Sequence, residues 1–456
     1  MKSKSSFKQT EIGWIPEEWE VKSIGEVADV IGGGTPSTKN QEFWDGDIPW
    51  ITPKDLSSLN FRYIKRGERN ITKKGLDNSS AKLLPEGTVL LTTRAPVGYL
   101  AIAAKELATN QGFRSLIPKN KILSEFLFYL LKKNVEILKS NAGGSTFGEL
   151  SGSRLKELEF PIPPLTEQRA IAKILSDLDA KIELNQQMNK TLEEIGRAIF
   201  KHWFIDFDFP NEEGKPYKSS GGEMVYNEEL GKEIPKGWWV EQLGKLIFKN
   251  RNKLSQKSQW EKENVIDLSN MPRFSICIDT FQKGKNFESN IYILKEFDIL
   301  FGSIRPYFGK AGFSPINGVV TGTVYSFLPK KKYFYSYLLF LISSKEFIEY
   351  TVNYSKGTKM PIIGWDDFCL YLVTLPENID LIVKFNSIMS PLIRKIKDNI
   401  CESLTLSSIR DALLPKLMSG KIRVPVSIVQ DSSAHKGQAE KPASKICTGK
   451  SKEEKV

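Results

Sequence analysis

Two long stretches of the chain carry a regular pattern of apolar positions. In the first stretch, apolar residues recur every three or four positions from Ile171 to Ile199, with the polar Asn185 at one position of this seam. The second stretch repeats the pattern 214 residues later, from Met389 to Leu413, with Asn399 at the matching position. Alternating steps of three and four are typical of helices paired in a coiled coil. We therefore predict two long helices, over 165–204 and 379–420, that pack as an antiparallel pair.

The seam also predicts details of this pairing. Asn185 and Asn399 are expected to approach each other where a pseudo-twofold axis crosses the helix pair, or else to occupy partly exposed edge positions. Pro391 predicts a kink or a restart of the second helix. Ile195 and Ile409 continue the seam toward the helix ends. The residues predicted to pair the helices are Leu175, Leu178, Ile182, Asn185, Leu192, Met389, Leu392, Ile396, Asn399 and Leu406.

The segments before each helix have a different pattern. Short apolar runs bounded by Gly, Pro and polar residues predict strands at Thr88–Thr92, Leu100–Ala103 and Ile291–Leu294. Helical spacing of apolar residues predicts one helix at Ser124–Lys139 and a counterpart at Tyr335–Tyr350. The sequence thus predicts an α+β protein with two mixed, mostly β domains joined by the long helices.

The two β domains are related by an internal repeat. Residues 15–25 read IPEEWEVKSIG, and residues 234–244 read IPKGWWVEQLG. Further along, residues 88–98 match residues 298–309 with one insertion, which places Arg94 opposite Arg305. A repeat this long indicates a duplicated domain rather than a solenoid. The predicted boundaries are 1–164 (first β domain), 165–204 (first helix), 205–230 (linker), 231–378 (second β domain), 379–420 (second helix) and 421–456 (disordered tail).

Composition and charge narrow the class of protein. With 40% hydrophobic and 26% charged residues, the chain is not disordered as a whole. The net charge is +11, but residues 1–10 contribute +3 and residues 421–456 contribute +4, which leaves +4 for the body. No apolar run is long enough to cross a membrane, and no secretory signal precedes the first domain. The four cysteines, which show no paired spacing, agree with a cytoplasmic location.

The chain lacks the sequence motifs of the common catalytic sites, which favours a protein without its own active site. The glycine-rich run Gly32–Lys39 lacks the spacing of a phosphate-binding loop and indicates a flexible loop instead. Two histidines without nearby cysteines argue against a zinc site, and the His202 side chain is expected to pack in the interior. A set of acidic and basic residues loosely imitates a metal-dependent nuclease, but it lies in the predicted linker. Those residues are Asp206, Asp208, Glu213 and Lys215.

Five sequence segments resemble those of a known protein family. The segments are the duplicated GWIPEEWEVKSIGEV, IGGGTPSTKNQEFWDGDIPWITPKDL, ATNQGF, FPIPPLTEQRAIAKILSDLDAKIELNQ and AIFKHWFIDF. Together they look like the specificity subunit of type I restriction-modification systems, over about residues 11–420. In the second half, Leu375-Pro376-Glu377 replaces the PIPPLxEQ segment, so the start of that helix is less well defined by sequence.

The resemblance implies a function and a set of partners. Each β domain would be a target recognition domain that reads one half of an asymmetric, bipartite double-stranded DNA sequence, and the helices would set the unread spacer. The helices would also dock two adenine methyltransferase subunits, which motor and nuclease subunits join. S-adenosylmethionine, ATP and Mg²⁺ would belong to those partners, and this chain would bind no cofactor.

Candidate DNA contacts are polar residues expected on loops. Arg, Lys, Asn and Gln read bases, while hydroxyl groups position phosphates. Arg94 and Arg305 occur in both repeats, which favours a shared task such as phosphate contact or folding over reading different bases. The candidates are Thr35, Ser37, Lys39, Lys54, Arg94, Asn110, Gln111, Ser145 and Thr146 in the first domain and Arg273, Arg305, Lys310, Thr358 and Lys359 in the second.

Two other classes of protein remain open at this stage. A protein with two domains and a long coiled coil could be a scaffold for protein partners without a role on DNA, and the weakly basic body favours that reading slightly. A nuclease or methyltransferase that acts alone is the second alternative, which the missing motifs disfavour.

Overall fold

A computed structural model describes residues 6–57, 59, 61–94, 96–143, 148–250, 252–254, 263–284 and 290–424. The contacts divide the chain into two units. Unit 1 contains residues up to Asp179 together with those from Ile409 onward, and unit 2 contains Ala180–Ser408. The division falls inside both long helices, so each unit contains part of each helix. Of the expected tail, 421–456, residues 425–456 lie outside the described residues, whereas Arg423 is held by Glu167 at 2.8 Å.

Unit 1 contains the first β domain. Its strands are β1 Phe7–Thr10, β2 Gly13–Pro16, β3 Glu20–Ser23, β4 Ala28–Gly32, β5 Trp44–Ile51, β6 Tyr63–Ile64, β7 Arg69–Ile71, β8 Val89–Thr92, β9 Leu100–Ala103, β10 Ala108–Thr109, β11 Phe113–Pro118 and β12 Glu159–Ile162. Its shorter helices are α1 Ile24–Val27, α2 Pro53–Ser57, α3 Lys73–Asp77, α4 Ser124–Lys133, α5 Val135–Ser140 and α6 Gly152–Glu157. The first long helix, α7, follows at Leu165–Phe200.

Unit 2 contains the second β domain. Its strands are β13 Met224–Asn227, β14 Lys232–Pro235, β15 Trp239–Gln242, β16 Ile247–Lys249, β17 Lys253–Leu254, β18 Asn264–Ile266, β19 Gln282–Lys283, β20 Ile291–Leu294, β21 Ile299–Gly302, β22 Ala311–Phe313, β23 Gly318–Thr321, β24 Val324–Pro329 and β25 Leu372–Leu375. Its shorter helices are α8 Tyr335–Ile342, α9 Lys345–Asn353 and α10 Trp365–Cys369. The second long helix, α11, spans Asp380–Met418.

The sheets confirm that the domain is duplicated. In unit 1 the central sheet has the order β4-β11-β8-β9-β6, and in unit 2 the order is β16-β24-β21-β22. The register agrees as well, since Ser115 lies opposite Leu90 and Ser326 lies opposite Leu300. The hairpin β1–β2 corresponds to β13–β14, and the pair β3–β12 corresponds to β15–β25. Both units are therefore mixed domains with the same framework.

The strands predicted at Leu100–Ala103 and Ile291–Leu294 are present, and the one predicted at Thr88–Thr92 begins at Val89, but the helix after each central sheet is shorter than predicted. The continuous helices expected at 124–139 and 335–350 are wrong, because each is split in two. At the first break the Asn134 side chain donates to the Leu130 carbonyl at 2.8 Å. At the second, Ser344 caps a new helix by accepting from the Phe347 N–H at 3.2 Å. Local polar groups thus end a run of apolar spacing that continues in the sequence.

Each unit has its own apolar core. In unit 1 the largest cluster joins α4 to the first turns of α7 and the last turns of α11, through buried residues such as Leu127, Ile171 and Leu417. The corresponding cluster of unit 2 is richer in aromatic rings and includes Phe200, Phe340 and Phe385. Large buried side chains dominate the energetics of such cores, so each β domain is fixed to its own part of the long helices.

The long helices depart from the prediction at two points. The restart that Pro391 could have caused does not occur, because α11 continues from Asp380 to Met418 with Pro391 on its exposed face. Ile195 and Ile409 are 43% and 44% exposed, so the seam does not extend to these positions. A five-residue π-helical turn, Lys201–Ile205, ends the first helix.

Contacts within unit 2 show that the helices run antiparallel. The Asn185 side-chain amide lies 3.4 Å from the Asn399 backbone carbonyl, and the Asn399 amide donates to Asn189 Oδ1 at 2.8 Å. Lys181 lies 3.1 Å from Glu402. Residue numbers therefore fall along one helix as they rise along the other. Asn185 and Asn399 are both buried, which places the polar pair inside the seam rather than at its edge.

Candidate nucleic-acid interface

In unit 1, Arg94 lies in the loop between the central strands β8 and β9. Its side chain is half exposed, and its Nε lies 3.0 Å from one carboxylate oxygen of Glu149. Arg114 contacts the other oxygen of Glu149 at 3.1 Å. The Thr93 N–H donates to the Gly112 carbonyl at 2.8 Å, and the Leu150 N–H donates to the Thr93 carbonyl at 3.0 Å. The arginine is thus held at a defined place, and the three charges sum to one positive charge.

The glycine-rich loop beside β4 is packed, so the expectation of a flexible loop is wrong. The Gly34 N–H donates to the Thr109 carbonyl at 2.9 Å, and the Gly34 carbonyl accepts from the Trp50 indole at 2.9 Å. A Cβ at Gly33 would overlap the backbone of Thr109 and Asn110. The loop is therefore fixed against the turn after β10, because only a residue without a side chain fits there.

This packing brings three predicted residues together. The Thr35 hydroxyl is hydrogen bonded to the Gln111 side chain, and both residues are exposed. The Asn110 side chain is used within the turn, where it accepts from the Gly112 N–H at 2.9 Å. Thr35 and Gln111 are thus available to a ligand at this edge, while Asn110 has a structural role.

The other candidates of unit 1 are dispersed. Ser37 and Lys39 are exposed on the packed loop, where the Ser37 carbonyl accepts from the Trp44 indole at 3.1 Å. Lys54 lies at the start of α2, and its amine is 2.7 Å from Glu68. Ser145 and Thr146 lie outside the described residues.

In unit 2, Arg305 occupies the loop that corresponds to that of Arg94. This loop joins β21 to β22, and Arg305 is exposed with a left-handed backbone, at φ +50°. The Arg305 N–H donates to the Pro361 carbonyl at 2.7 Å. A non-glycine residue held in this conformation is uncommon and is found disproportionately at functional sites.

Two more predicted DNA contacts, Arg273 and Lys310, lie close to the Phe308 ring in the loop of Arg305. The guanidinium of Arg273 lies 4.0 Å from the centroid of the Phe308 ring, and the Lys310 amine lies 5.9 Å from the same centroid. Lys310 also donates to the Leu268 carbonyl. Burial, together with the nearby Arg273, lowers the pKa of Lys310. Cation–π contact positions both charges over the loop.

The last two candidates lie on a small hairpin that touches Arg305. Lys356 and Ile362 exchange two backbone hydrogen bonds of 2.9 Å, which close the loop that carries Thr358 and Lys359. Both residues are exposed, and Gly357 permits the turn with φ +102°. Because Pro361 accepts from Arg305, the five candidates of unit 2 belong to neighbouring loops.

Sequence reasoning missed the aromatic part of this surface. Phe274 and Tyr307 are 61% and 44% exposed, and a Cβ at Gly309 would overlap the Phe274 ring. Exposed rings beside arginine and lysine are typical of nucleic-acid surfaces. The run Arg305-Pro306-Tyr307-Phe308-Gly309 is the available sequence signal, but it does not reveal that Phe274 and Arg273 meet it.

The acidic set in the predicted linker has other partners. Asp206 is paired with Lys201 at 2.6 Å, and Asp208 accepts from the Ser219 hydroxyl at 2.6 Å. Glu213 pairs with Lys215 at 2.8 Å. Among the described residues, no three carboxylate, His or Cys side chains are grouped to hold a metal ion. The expectation that His202 packs is wrong, since it is exposed.

Comparison with known proteins identifies the family. A family model described as a type I restriction modification DNA specificity domain matches residues 16–194. The type I restriction enzyme MjaIX specificity subunit of Methanocaldococcus jannaschii is 41% identical over 441 residues, which cover 92% of this chain and 97% of that protein. The chain belongs to the family of type I specificity subunits.

Two further comparisons agree. The MjaVIII specificity subunit of the same organism is 26% identical over 438 residues, covering 92% of this chain and 96% of that protein. A crystal structure of a type I restriction-modification S subunit from M. genitalium matches with a TM-score of 0.54 at 20% identity, over 88% of this chain and 96% of that one. The resemblance noted in the sequence is confirmed, and the scaffold reading is not favoured.

In this type I specificity subunit, the family model matches only one of the two candidate surfaces. It ends at residue 194, so the Arg305 surface lies outside the matched segment.

In the described part of the chain, no helix is long and apolar enough to cross a membrane.

Proposed function

We propose that this chain is the DNA-reading subunit of a type I restriction-modification complex, in which each β domain reads one half of an asymmetric, bipartite target. The observation that carries the proposal is the repeated loop, which follows β8 in unit 1 and β21 in unit 2 and presents Arg94 in one unit and Arg305 in the other. Arg94 is half exposed and Arg305 is exposed, and both are fixed by neighbouring backbone or carboxylate groups.

The two surfaces suggest different modes of reading. Thr35 and Gln111 form a small polar edge beside Arg94, whereas Arg305 is accompanied by Arg273 and by the exposed rings of Phe274 and Tyr307. Different neighbours around a shared arginine fit two domains that read different bases while contacting phosphate in a similar way. The length of the unread spacer would follow the length of the long helices.

We also propose that the chain works with partner subunits and holds no cofactor of its own. Two adenine methyltransferase subunits would bind S-adenosylmethionine, and motor and nuclease subunits would use ATP and Mg²⁺. Ile195 and Ile409 support a partner surface on the helices, because each is an exposed apolar residue at an equivalent position of its helix. We place the assembled protein in the cytoplasm.

The first test compares methylated adenines in the source cell with and without this gene. Loss of one split, asymmetric methylation motif upon deletion is the expected result, and it would reveal the target. An unchanged set of methylated adenines in a cell that expresses the complex would contradict the proposal.

The second test addresses Arg305 in the complex assembled with its methyltransferase subunits. Arg305→Ala should weaken binding to the target without changing the preferred bases, because a phosphate contact is independent of sequence. Lys384→Ala is the matched control, since Lys384 is exposed in the same unit but outside this surface. A change of preferred sequence at constant affinity would contradict the assignment.

A further inference from the structure

Two hairpins stand apart from the other sheets. The pairs β1–β2 and β13–β14 are each a separate two-stranded sheet in the described part of the chain. One face of each is anchored in its own unit, since Ile15 and Ile234 are both 3% exposed. A two-stranded hairpin is only marginally stable alone, so the buried anchors hold these hairpins in place.

The opposite face of each hairpin exposes an aromatic ring at the same position of the register. Trp14 lies across from Gln9, and Tyr226 lies across from Glu233; both pairs are two residues from the pair that contains the hairpin proline. Trp14 is 64% exposed and Tyr226 is 62% exposed. Trp14 lies on the second strand of its hairpin and Tyr226 lies on the first strand of its hairpin, but both belong to the pair that is two residues from the proline.

An apolar neighbour enlarges the first of these rings, since Ile12 is 39% exposed in the turn that precedes Trp14. We call Ile12 and Trp14 the first hairpin patch, and the Tyr226 ring the second hairpin patch. Tyrosine and tryptophan are enriched at protein interfaces, and such residues supply much of the binding energy there.

The charges around the patches indicate what would cover them. Exposed glutamates occur in or next to both hairpins: Glu11 lies in the turn of the first and Glu17 follows it, Glu228 and Glu229 lie in the turn of the second, and Glu233 lies directly across from Tyr226. The chain as a whole carries +11, so these acidic edges contrast with the rest of the molecule. A surface of this kind repels phosphate and therefore does not suit a nucleic acid.

The lysines of both hairpins do not neutralise these edges at the rings. The Lys8 amine donates to the Glu17 carbonyl at 2.8 Å, and the Lys232 amine lies 5.8 Å from the centroid of the Phe207 ring. Glutamates therefore remain the charged neighbours of the patches. An aromatic ring beside carboxylates is well suited to an arginine or lysine, which contacts the ring face and pairs with the acid.

We propose that the two hairpin patches are equivalent docking points, each of which takes one copy of the same protein partner through an arginine or lysine on a basic surface. An exposed ring at the same register of both hairpins, with exposed glutamates in each hairpin, suits two copies of one partner surface. The inference rests on the proposed function, in which that partner is the methyltransferase subunit.

The test measures how many methyltransferase subunits the full-length chain binds, and how tightly. Native mass spectrometry and titration of the wild-type chain should give two bound copies. Trp14→Ala and Tyr226→Ala should each weaken one copy by about tenfold or more, and the double variant should weaken both. Phe61→Ala and Phe248→Ala are the matched controls, because these rings are 42% and 60% exposed outside the hairpins and should leave both copies bound.

A charge variant separates recognition from loss of folding. Glu233→Lys leaves Tyr226 in place and should weaken the same copy as Tyr226→Ala does, while hydrogen exchange of β14 stays unchanged.

If the double aromatic variant binds two copies with wild-type affinity, the hairpin proposal is wrong, although specific DNA binding would leave the proposed function standing. A wild-type chain that binds DNA specifically but no methyltransferase subunit would also overturn it. Failure of specific DNA binding with normal, hairpin-dependent assembly would instead contradict the reading function.

Discussion

The β domain of each unit meets the long helices at equivalent positions, but the chemistry of the two contacts is opposite. In unit 1, Asp179 of α7 accepts from the Tyr129 hydroxyl at 2.7 Å and from Arg410 of α11 at 2.6 Å. The repeat relates these three residues to Phe340, Ile393 and Gly196 of unit 2. There the contact is apolar, since Phe340 and Ile393 are each 2% exposed in one core cluster.

Each arrangement is complete in itself. Burial alone would raise the pKa of Asp179, but Lys132, Arg410 and Tyr129 together outweigh it and lower that pKa. In unit 2, the absence of a side chain at Gly196 makes room for the Phe340 ring, which a Cβ there would overlap. A duplicated backbone therefore does not fix the chemistry of a contact. A triad of partners has to change together, because one member alone would leave a buried charge or a cavity.

Unit 2 has its own buried carboxylate at another place. Glu193 of α7 accepts from the Ile276 N–H at 3.0 Å and from the Ser275 hydroxyl at 2.7 Å, and it pairs with Arg197. The position of α11 that corresponds to Glu193 is Ser407. Both β domains are thus fixed to α7 by a carboxylate, but at positions that the repeat does not relate.

The largest effect is expected from breaking the polar contact of unit 1. Asp179→Ala leaves Arg410 and Lys132 without their buried partner and should lower the free energy of unfolding of unit 1 by about 3–4 kcal/mol. Hydrogen exchange of α4 should report the loss, whereas α8 of unit 2 should keep its protection. Lys190→Ala, on the exposed face of the same helix, is the control. Equal loss of protection in both units would contradict the separation.

The reverse experiment overfills the apolar contact of unit 2. Gly196→Ala places a methyl group against the Phe340 ring and should destabilise unit 2 by about 2 kcal/mol, although alanine favours the helix. The loss should appear in the exchange of α8 and not in that of α4. Adding Phe340→Leu should restore part of the stability. A stabilised single variant would show that the ring moves aside at low cost.

Exchanging one chemistry for the other sharpens the comparison. The triple variant Tyr129→Phe, Asp179→Ile, Arg410→Gly gives unit 1 the residues of unit 2. It should lose less stability than Asp179→Ala, because an apolar set replaces the buried ion pair, although the new glycine costs about 1 kcal/mol in a helix and Lys132 loses its contact with Asp179. Chemical denaturation monitored by exchange of α4 measures it. A loss as large as that of Asp179→Ala would mean that the surroundings, and not the three residues, require the charge.

The smallest effect is a difference in response to acid. The pKa of Asp179 is lowered in the folded state, so its contribution to stability is present above the unfolded pKa of about 4 and is lost as the pH falls through the folded value. Burial raises the pKa of Asp298 in unit 2, which has the opposite sign. Exchange of α4 should therefore increase below pH 4 more than exchange of α8. Asp179→Asn should abolish this difference, and its persistence would assign the acid response to other groups.

Much of the framework could be predicted from sequence because it rests on local or repeated patterns. The strands at Val89–Thr92 and Ile291–Leu294 and the long helices follow from apolar spacing, and the duplication follows from matching motifs. Pro391 was misleading because its ring faces outward, where α11 tolerates it. The breaks at Asn134 and Ser344 depend on single side-chain hydrogen bonds that spacing does not reveal.

The contacts of the candidate surfaces could be predicted only in part. The repeat indicates Arg94 and Arg305. It does not reveal that Arg94 contacts Glu149, 55 residues away, or that the loop at Gly34 packs against Thr109. Phe274 meets Gly309 across 35 residues. Such pairs are set by strand order and register, which a single sequence does not encode in a form that spacing can read.

Unit 1 is built from the two ends of the described chain, and this has a consequence for its synthesis on the ribosome. The Trp19 indole and Arg423 both contact Glu167, and Leu414 and Leu417 complete the core around Ile171. At 5–20 residues per second, roughly 10 to 45 s separate the emergence of residue 179 from that of residue 409. Unit 2 is contiguous and needs no such interval. The earlier-made part of unit 1 must therefore remain incomplete, with apolar surface open to chaperones, until its closing helix turns are translated.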